Sequence, residues 1–256
     1  MLVSAPKYTS RIQKGGALIP EMRQLVRLWT NAPTDENKDA ILRSNPLGKT
    51  TRSRLADVLN RIFVPRFVHG AIPCAWKVLR TMEEAGASSA ILRPIYYWFT
   101  ARSEPLLSDF VTEYLVPRRA AGLRAVGVPE FISWLGTKDM GWSEIVGIKS
   151  GRAILAALRD FGVLDGKAKK TLVRPPLPLG AFSFIAFCLS RLGVAGRDML
   201  EHPDWTLFML TPSDVEHLFL EAHQERLLGY HAAGTLVNLD FPVGSAEEYA
   251  HVVVRK

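Results

Sequence analysis

The sequence predicts a mainly α-helical chain whose second half carries winged-helix-like regions with short β-hairpins. Three observations carry that expectation. Up to about Val116 apolar residues recur at helical spacing with no competing strand alternation. Prolines and glycines from Pro117 to Pro129 then interrupt the pattern. Beyond them, a helix followed by a short β-prone stretch occurs twice.

In the first half the spacing predicts helices near Glu21–Trp29, Thr34–Arg43, Thr51–Val64, Ala75–Ala85, Ala90–Ala101 and Glu104–Val116. The stretch from Thr51 shows the period: Leu55, Val58, Leu59 and Ile62 share one face, Arg54, Asp57 and Arg61 face water, and Pro65 is expected to end the helix. These segments define a helical bundle domain, residues 1–127, closed by the small, basic run "RRAAGLRAVGVPE". A C-terminal helical region with winged helix-turn-helix-like elements, residues 128–256, follows.

That region is expected to open with two short helices, Glu130–Leu135 and Ser143–Ile148, leading into "SGRAILAALRDFGVLDGKAKKTLVRPP". There Ser150 is a good N-cap, Ile154, Leu155, Leu158 and Phe161 share one side of a helix, and Arg152, Ala156 and Arg159 lie opposite. Gly162 suits the left-handed position past the helix end. Asp165-Gly166 is a two-residue turn signal, from which Lys167, Lys169, Lys170, Thr171, Leu172 and Val173 run out as a short strand. Helix, glycine stop, apolar pair and basic hairpin are the parts of a winged helix-turn-helix. An apolar helix at Gly180–Leu192, an amphipathic one at Pro212–Leu228 and a strand-like "GYHAAGTLVNLDFP" complete the chain.

The 256 residues carry 32 Lys and Arg against 25 Asp and Glu, a net +7 that favours polyanions. A helix fits the DNA major groove, small Ala156 allows close approach, and Arg152 and Arg159 can reach guanine edges or phosphates. Lys167, Lys169 and Lys170 would meet the backbone, and Arg52 and Arg54 form a second basic patch. The competing reading is a helix-hairpin module that packs against a neighbour with its charges merely solvated.

Spacing lends other chemistry no support. "NPLGKTT" lacks the first glycine of a phosphate loop, since position 43 is Arg43, so Thr50 or Thr51 reads as a helix cap. The six histidines form no metal-ligand pattern with each other or with Cys74 and Cys188, and no catalytic motif or cofactor site is expected. Tyr96, Tyr97, Trp98 and Phe99 are successive, so they point around a helix and are expected to be mainly buried with one tyrosine exposed rather than to form a base-stacking platform. Two cysteines in apolar sequence, no export signal and no apolar run long enough to span a membrane suggest a cytoplasmic protein.

Four stretches, "YTSRIQKGGALIPEMRQLVRLW", "LGKTTRSRLADVLNRIF", "ILRPIYYWFTARSEPLLSDFVTEYL" and "GYHAAGTLVNLDF", carry a resemblance to the BrxA family of BREX bacteriophage-exclusion systems. The resemblance implies a small, largely helical bacterial protein that binds double-stranded DNA. It also implies work alongside the other BREX components: an ATPase, an adenine methyltransferase, a phosphatase-like protein and further small factors. Together with the residues above, it leads to the expectation of a non-enzymatic DNA-binding accessory factor in phage defence. The alternative is a protein-interaction adaptor within the same complex.

Overall fold

The computed structural model, which describes residues 8–138, 140–234 and 236–255, is mainly helical with short antiparallel strands, as the sequence predicts. A 3-10 turn, Ser10–Lys14, precedes α1 (Ile19–Leu28), α2 (Thr34–Ser44) and α3 (Arg52–Asp57), which runs on as a π-helical segment, Val58–Val68. Next come α4 (Ala75–Glu84), α5 (Ser89–Ser103) and α6 (Pro105–Asp109), the last continuing through a π-helical Phe110–Leu115 into α7 (Val116–Ala120). Then follow β1 (Ala125–Val126), α8 (Val128–Gly136), α9 (Glu144–Phe161), β2 (Leu164–Asp165) and β3 (Lys170–Leu172). The remainder is α10 (Leu179–Arg191), α11 (Arg197–Leu200), a 3-10 turn at Pro203–Phe208, α12 (Pro212–Gln224), β4 (Gly229–Ala233), β5 (Leu236–Asp240) and α13 (Ala246–Val254).

Packing groups the chain into two compact units, Met1–Trp76 with Phe99–Val173, and Lys77–Trp98 with Arg174–Lys256. The expected boundary at 127/128 lies inside the first unit, where β1 pairs with β3. No helix among the described residues is long and apolar enough to cross a membrane.

Two prolines do not stop their helices. The sequence places a helix end at Pro65, yet the chain continues helically to Val68. The wider π turn relieves crowding between the proline ring and the carbonyl four residues back, and the His69 amide reaches back five residues to the Val64 carbonyl at 2.8 Å. The continuation buries Phe67 and Val68 and carries Arg66 into the core. Pro117 likewise lies within a continuous helical run, where α7 follows directly on the π-helical segment, instead of breaking the chain.

In the first unit Trp29 lies 5.0 Å from Phe63, and Phe110 meets Phe131 and Trp134 at 5.1 and 5.2 Å. Amid this apolar packing sits a charged cluster. The Arg66 guanidinium is fully buried and Glu104 nearly so. Arg66 Nε donates to Glu104 Oε1 at 2.9 Å, Arg66 Nη1 donates to the Gly16 carbonyl at 2.7 Å, and Arg11 Nε donates to both Glu104 oxygens. Arg11 also donates to the Ser103 carbonyl. Burial lowers the Arg66 pKa and Glu104 pushes back against it, but a guanidinium stays charged in any protein. Glu104 therefore joins two arginines from separate segments through one carboxylate.

In the second unit Phe182, Trp205 and Phe219 pack ring to ring, and Phe187 stacks on Tyr249 at 4.7 Å. The run Tyr96 to Phe99 is buried throughout, both tyrosines included, which corrects the expectation of one exposed ring. Each polar end has a partner: Tyr96 donates to Glu83, Tyr97 to the Leu207 carbonyl and Trp98 Nε1 to Asp204. Satisfied hydrogen bonds remove the reason for a tyrosine to stay wet. Cys74 is exposed and Cys188 buried.

Replacing Glu104 by Gln leaves Arg66 buried beside an uncharged partner, and urea denaturation is expected to show a loss of about 3–5 kcal/mol. An Arg66→Met/Glu104→Leu double variant should recover a large part of that loss, because two matched apolar groups avoid the desolvation cost.

Candidate nucleic-acid interface

The stretch predicted as two helices with a cap at Ser150 is one helix. Ser143 accepts a long hydrogen bond from the Val146 amide, 3.5 Å, and begins α9; Gly162 ends it in the left-handed conformation, φ +84. Ser150 is buried mid-helix, where its hydroxyl accepts from Gln13 Nε2 at 2.8 Å; the same amide group donates to the Val146 carbonyl at 3.1 Å. Gly147 and Gly151 are small because α8 packs against them. A Cβ on Gly151 would lie 2.7 Å from the buried Phe131 ring, and one on Gly147 3.0 Å from Ile132. Tertiary packing thus overrides the low helix propensity of both glycines.

Ile154, Leu155, Leu158 and Phe161 are buried. Arg152 and Arg159 are exposed and Ala156 is half-buried between them. Two turns of helix separate the arginines by about 10 Å along the axis. Their environments differ. Arg159 Nε and Nη2 both donate to Asp160 Oδ1, at 3.1 and 2.7 Å, so its charge is partly spent within the helix. Arg152 has no such partner among the described residues and borders an open hollow of about 530 Å³ lined by Gln13, Lys14, Lys149 and Ala153.

That hollow joins two groups which the sequence kept apart. Thr51 caps α3 by accepting from the Arg54 amide at 3.1 Å, and the Arg54 side chain donates to the Lys14 carbonyl. Arg54 therefore stands beside a cluster formed by Lys14, Lys149 and Arg152. Lys14 is half exposed and shares its charge with Asp57 at 3.0 Å. Arg52 is exposed in the first turn of α3. Sequence reasoning misses Lys149 and Lys14. Lys149, three residues before Arg152, becomes visible once α9 is read as one helix; Lys14 reaches the site only through the fold.

The hairpin is shorter than expected. β2 and β3 pair Leu164 with Leu172 and Asp165 with Thr171, so strand structure covers only Lys170–Leu172, and Lys167 and Lys169 lie in the connecting loop. Asp165-Gly166 opens that loop rather than closing a two-residue turn: Gly166 has φ +90, and a Cβ there would sit 2.2 Å from the Lys169 carbonyl oxygen. Lys167 and Lys169 are exposed. The Lys170 ammonium folds back on the Lys167 carbonyl at 2.8 Å. β1 adds a third strand on the other side of β3, giving the order β1-β3-β2.

Charge follows the division into units. The first contains 23 Lys and Arg against 13 Asp and Glu, a net +10; the second contains 9 against 12, a net −3. The overall +7 conceals this separation. No group of three or more His, Cys, Asp or Glu among the described residues is placed to hold a metal ion.

A helical chain carrying a strand, two helices and a hairpin in one cationic unit is the class of protein that this fold defines. Residues 6–187 match the BrxA family, and the chain belongs to it. Membership makes it a component of a BREX phage-defence system, with other BREX components as its partners; the family is not known as a catalytic one. No curated protein matches the chain. Among solved structures it is similar to one described as the crystal structure of an uncharacterized protein from Magnetospirillum magneticum, with a TM-score of 0.57 and 16% identity over 80% of this chain and 100% of that one. At that identity the likeness bears on fold alone.

Substituting Gly151 by Ala is expected to lower stability by about 1–3 kcal/mol by overpacking against Phe131, although Ala has the higher helix propensity by about 1 kcal/mol. Thermal or urea denaturation of the variant checks which effect wins.

Proposed function

We propose that this BrxA-family chain is a non-enzymatic accessory factor that grips duplex DNA, with α9 in the major groove and the loop between β2 and β3 on the phosphate backbone. The observation that carries the reading is the outward face of α9, where the exposed cations Arg152 and Arg159 flank a small Ala156 and Lys149 extends the row by one turn. The succession β1, α8, α9, β2, β3 with sheet order β1-β3-β2 is the connectivity expected of a winged helix-turn-helix. Lys14 and Arg54 extend the cationic surface beyond α9. A net +10 on this unit supplies long-range attraction to a polyanion.

The geometry ranks the contacts. Arg152 has no ion-pair partner among the described residues and Arg159 is partly neutralised by Asp160, so Arg152 carries the larger share of groove recognition. Lys167 and Lys169 are exposed to solvent, whereas Lys170 is folded back and contributes less.

Replacing Lys167, Lys169 and Lys170 together by Ala should lower duplex affinity evenly across sequences and reduce the slope of log K against log salt by about 1 for each phosphate that is no longer neutralised. Arg152→Ala should relax any sequence preference more than Arg159→Ala does, at a cost of about 1–3 kcal/mol for a base contact. Fluorescence-anisotropy titrations at several salt concentrations measure both, and unchanged affinity, slope and preference would overturn the reading. Asp160→Asn should tighten binding by releasing Arg159, an effect that a purely structural α9 would not show.

A further inference from the structure

The second unit repeats a helix followed by a hairpin, α12 with β4 and β5, but reverses the charge. Where α9 exposes Arg152 and Arg159, α12 exposes Glu216, His217, Leu220 and Glu221. Thr211 and Asp214 cap α12 reciprocally, and these hydrogen bonds, with Arg174 at 3.2 Å adding to them, hold the Asp214 carboxyl below the usual carboxylate range. Glu216 accepts from the Tyr230 hydroxyl at 3.0 Å, and burial, with Glu216 adding, pushes that phenol up to about 12. Glu221 has no side-chain partner among the described residues.

Beside this face a groove of about 410 Å³ runs between α12 and the stretch 174–177. Pro175, Leu177, Leu210 and Leu218 give it apolar walls, and Asp214, His217 and Glu221 line it with polar groups. The volume is at the small end of ligand pockets, which span roughly 300–1,000 Å³: room for a side chain or two. Arg174 already answers Asp214, which leaves Glu221 as the charge awaiting a cation. A nucleic-acid backbone is repelled here, in a unit of net −3.

We infer that this groove docks a cationic segment of a partner protein, an apolar side chain entering between Pro175 and Leu218 while a neighbouring Lys or Arg pairs with Glu221. The arrangement combines an apolar anchor with charge complementarity, which sets specificity and register at protein interfaces. The inference is independent of the DNA reading, since it uses none of the same residues.

The test uses the full chain and overlapping short fluorescent peptides covering the ATPase, methyltransferase and phosphatase-like components of the same BREX system. Fluorescence polarisation should find binders that hold an apolar residue next to Lys or Arg, and Glu221→Lys should weaken them by at least about tenfold through like-charge repulsion. Glu221→Gln should give an intermediate loss, and both variants should retain duplex affinity and the wild-type melting temperature. The proposal is overturned if no peptide binds, if binding survives Glu221→Lys, or if only acidic peptides bind. Self-association in sedimentation velocity that Glu221→Lys abolishes would assign the groove to a second copy and overturn it equally.

Discussion

Glu104 is the anchor of the first unit. One buried carboxylate holds Arg66 from the helix at 52–68 and Arg11 from the 3-10 turn near the start of the chain. Removing the Arg66 guanidinium wholly and the Arg11 guanidinium partly from water is costly, and only good geometry with further hydrogen bonds repays it. Arg66 obtains one such bond from the Gly16 carbonyl, and Arg11 another from the Ser103 carbonyl. Their joint effect is to fix residues 11–16 in place. From there Gln13 reaches Ser150 and Val146, and Gly16 lies against Ala153 of α9, 3.4 Å from its carbonyl to an ideal Cβ. The position of the exposed arginine face thus depends on an ion cluster that never touches it.

The π-helical continuation past Pro65 follows from the same constraint. A helix ended at Val64 leaves Arg66 in solvent and Glu104 without its buried partner. Continuing costs the regular hydrogen-bond ladder and gains the burial of Phe67 and Val68 together with the ion pair. The balance favours the irregular helix.

Two helix-hairpin modules with similar connectivity and opposite charge show how little a local fold says about what a surface binds. α9 and α12 both bury one face and expose the other. What differs is the sign of the exposed side chains and of the unit that carries them. The proposed grip on DNA and the proposed docking of a cationic protein segment place these two interactions on different units, with charge as the discriminator.

The sequence by itself determined the helical character of the first half, the buried faces of the helices carrying Leu55 and Ile154, a cap at Thr50 or Thr51, the stop at Gly162 and the alternation of helix with hairpin. These depend on periodicity and on local hydrogen bonds, which neighbouring residues settle among themselves. Only the tertiary structure decided the rest. Ser150 became an interior residue because Gln13 approaches from a distant part of the chain; Tyr96 and Tyr97 both went inside because Glu83 and the Leu207 carbonyl satisfy them. Lys14 joined Lys149 and Arg152, and Arg54 came to stand beside them, because Arg11 and Arg66 share one carboxylate. Such pairings join residues far apart along the chain, and no local pattern records them.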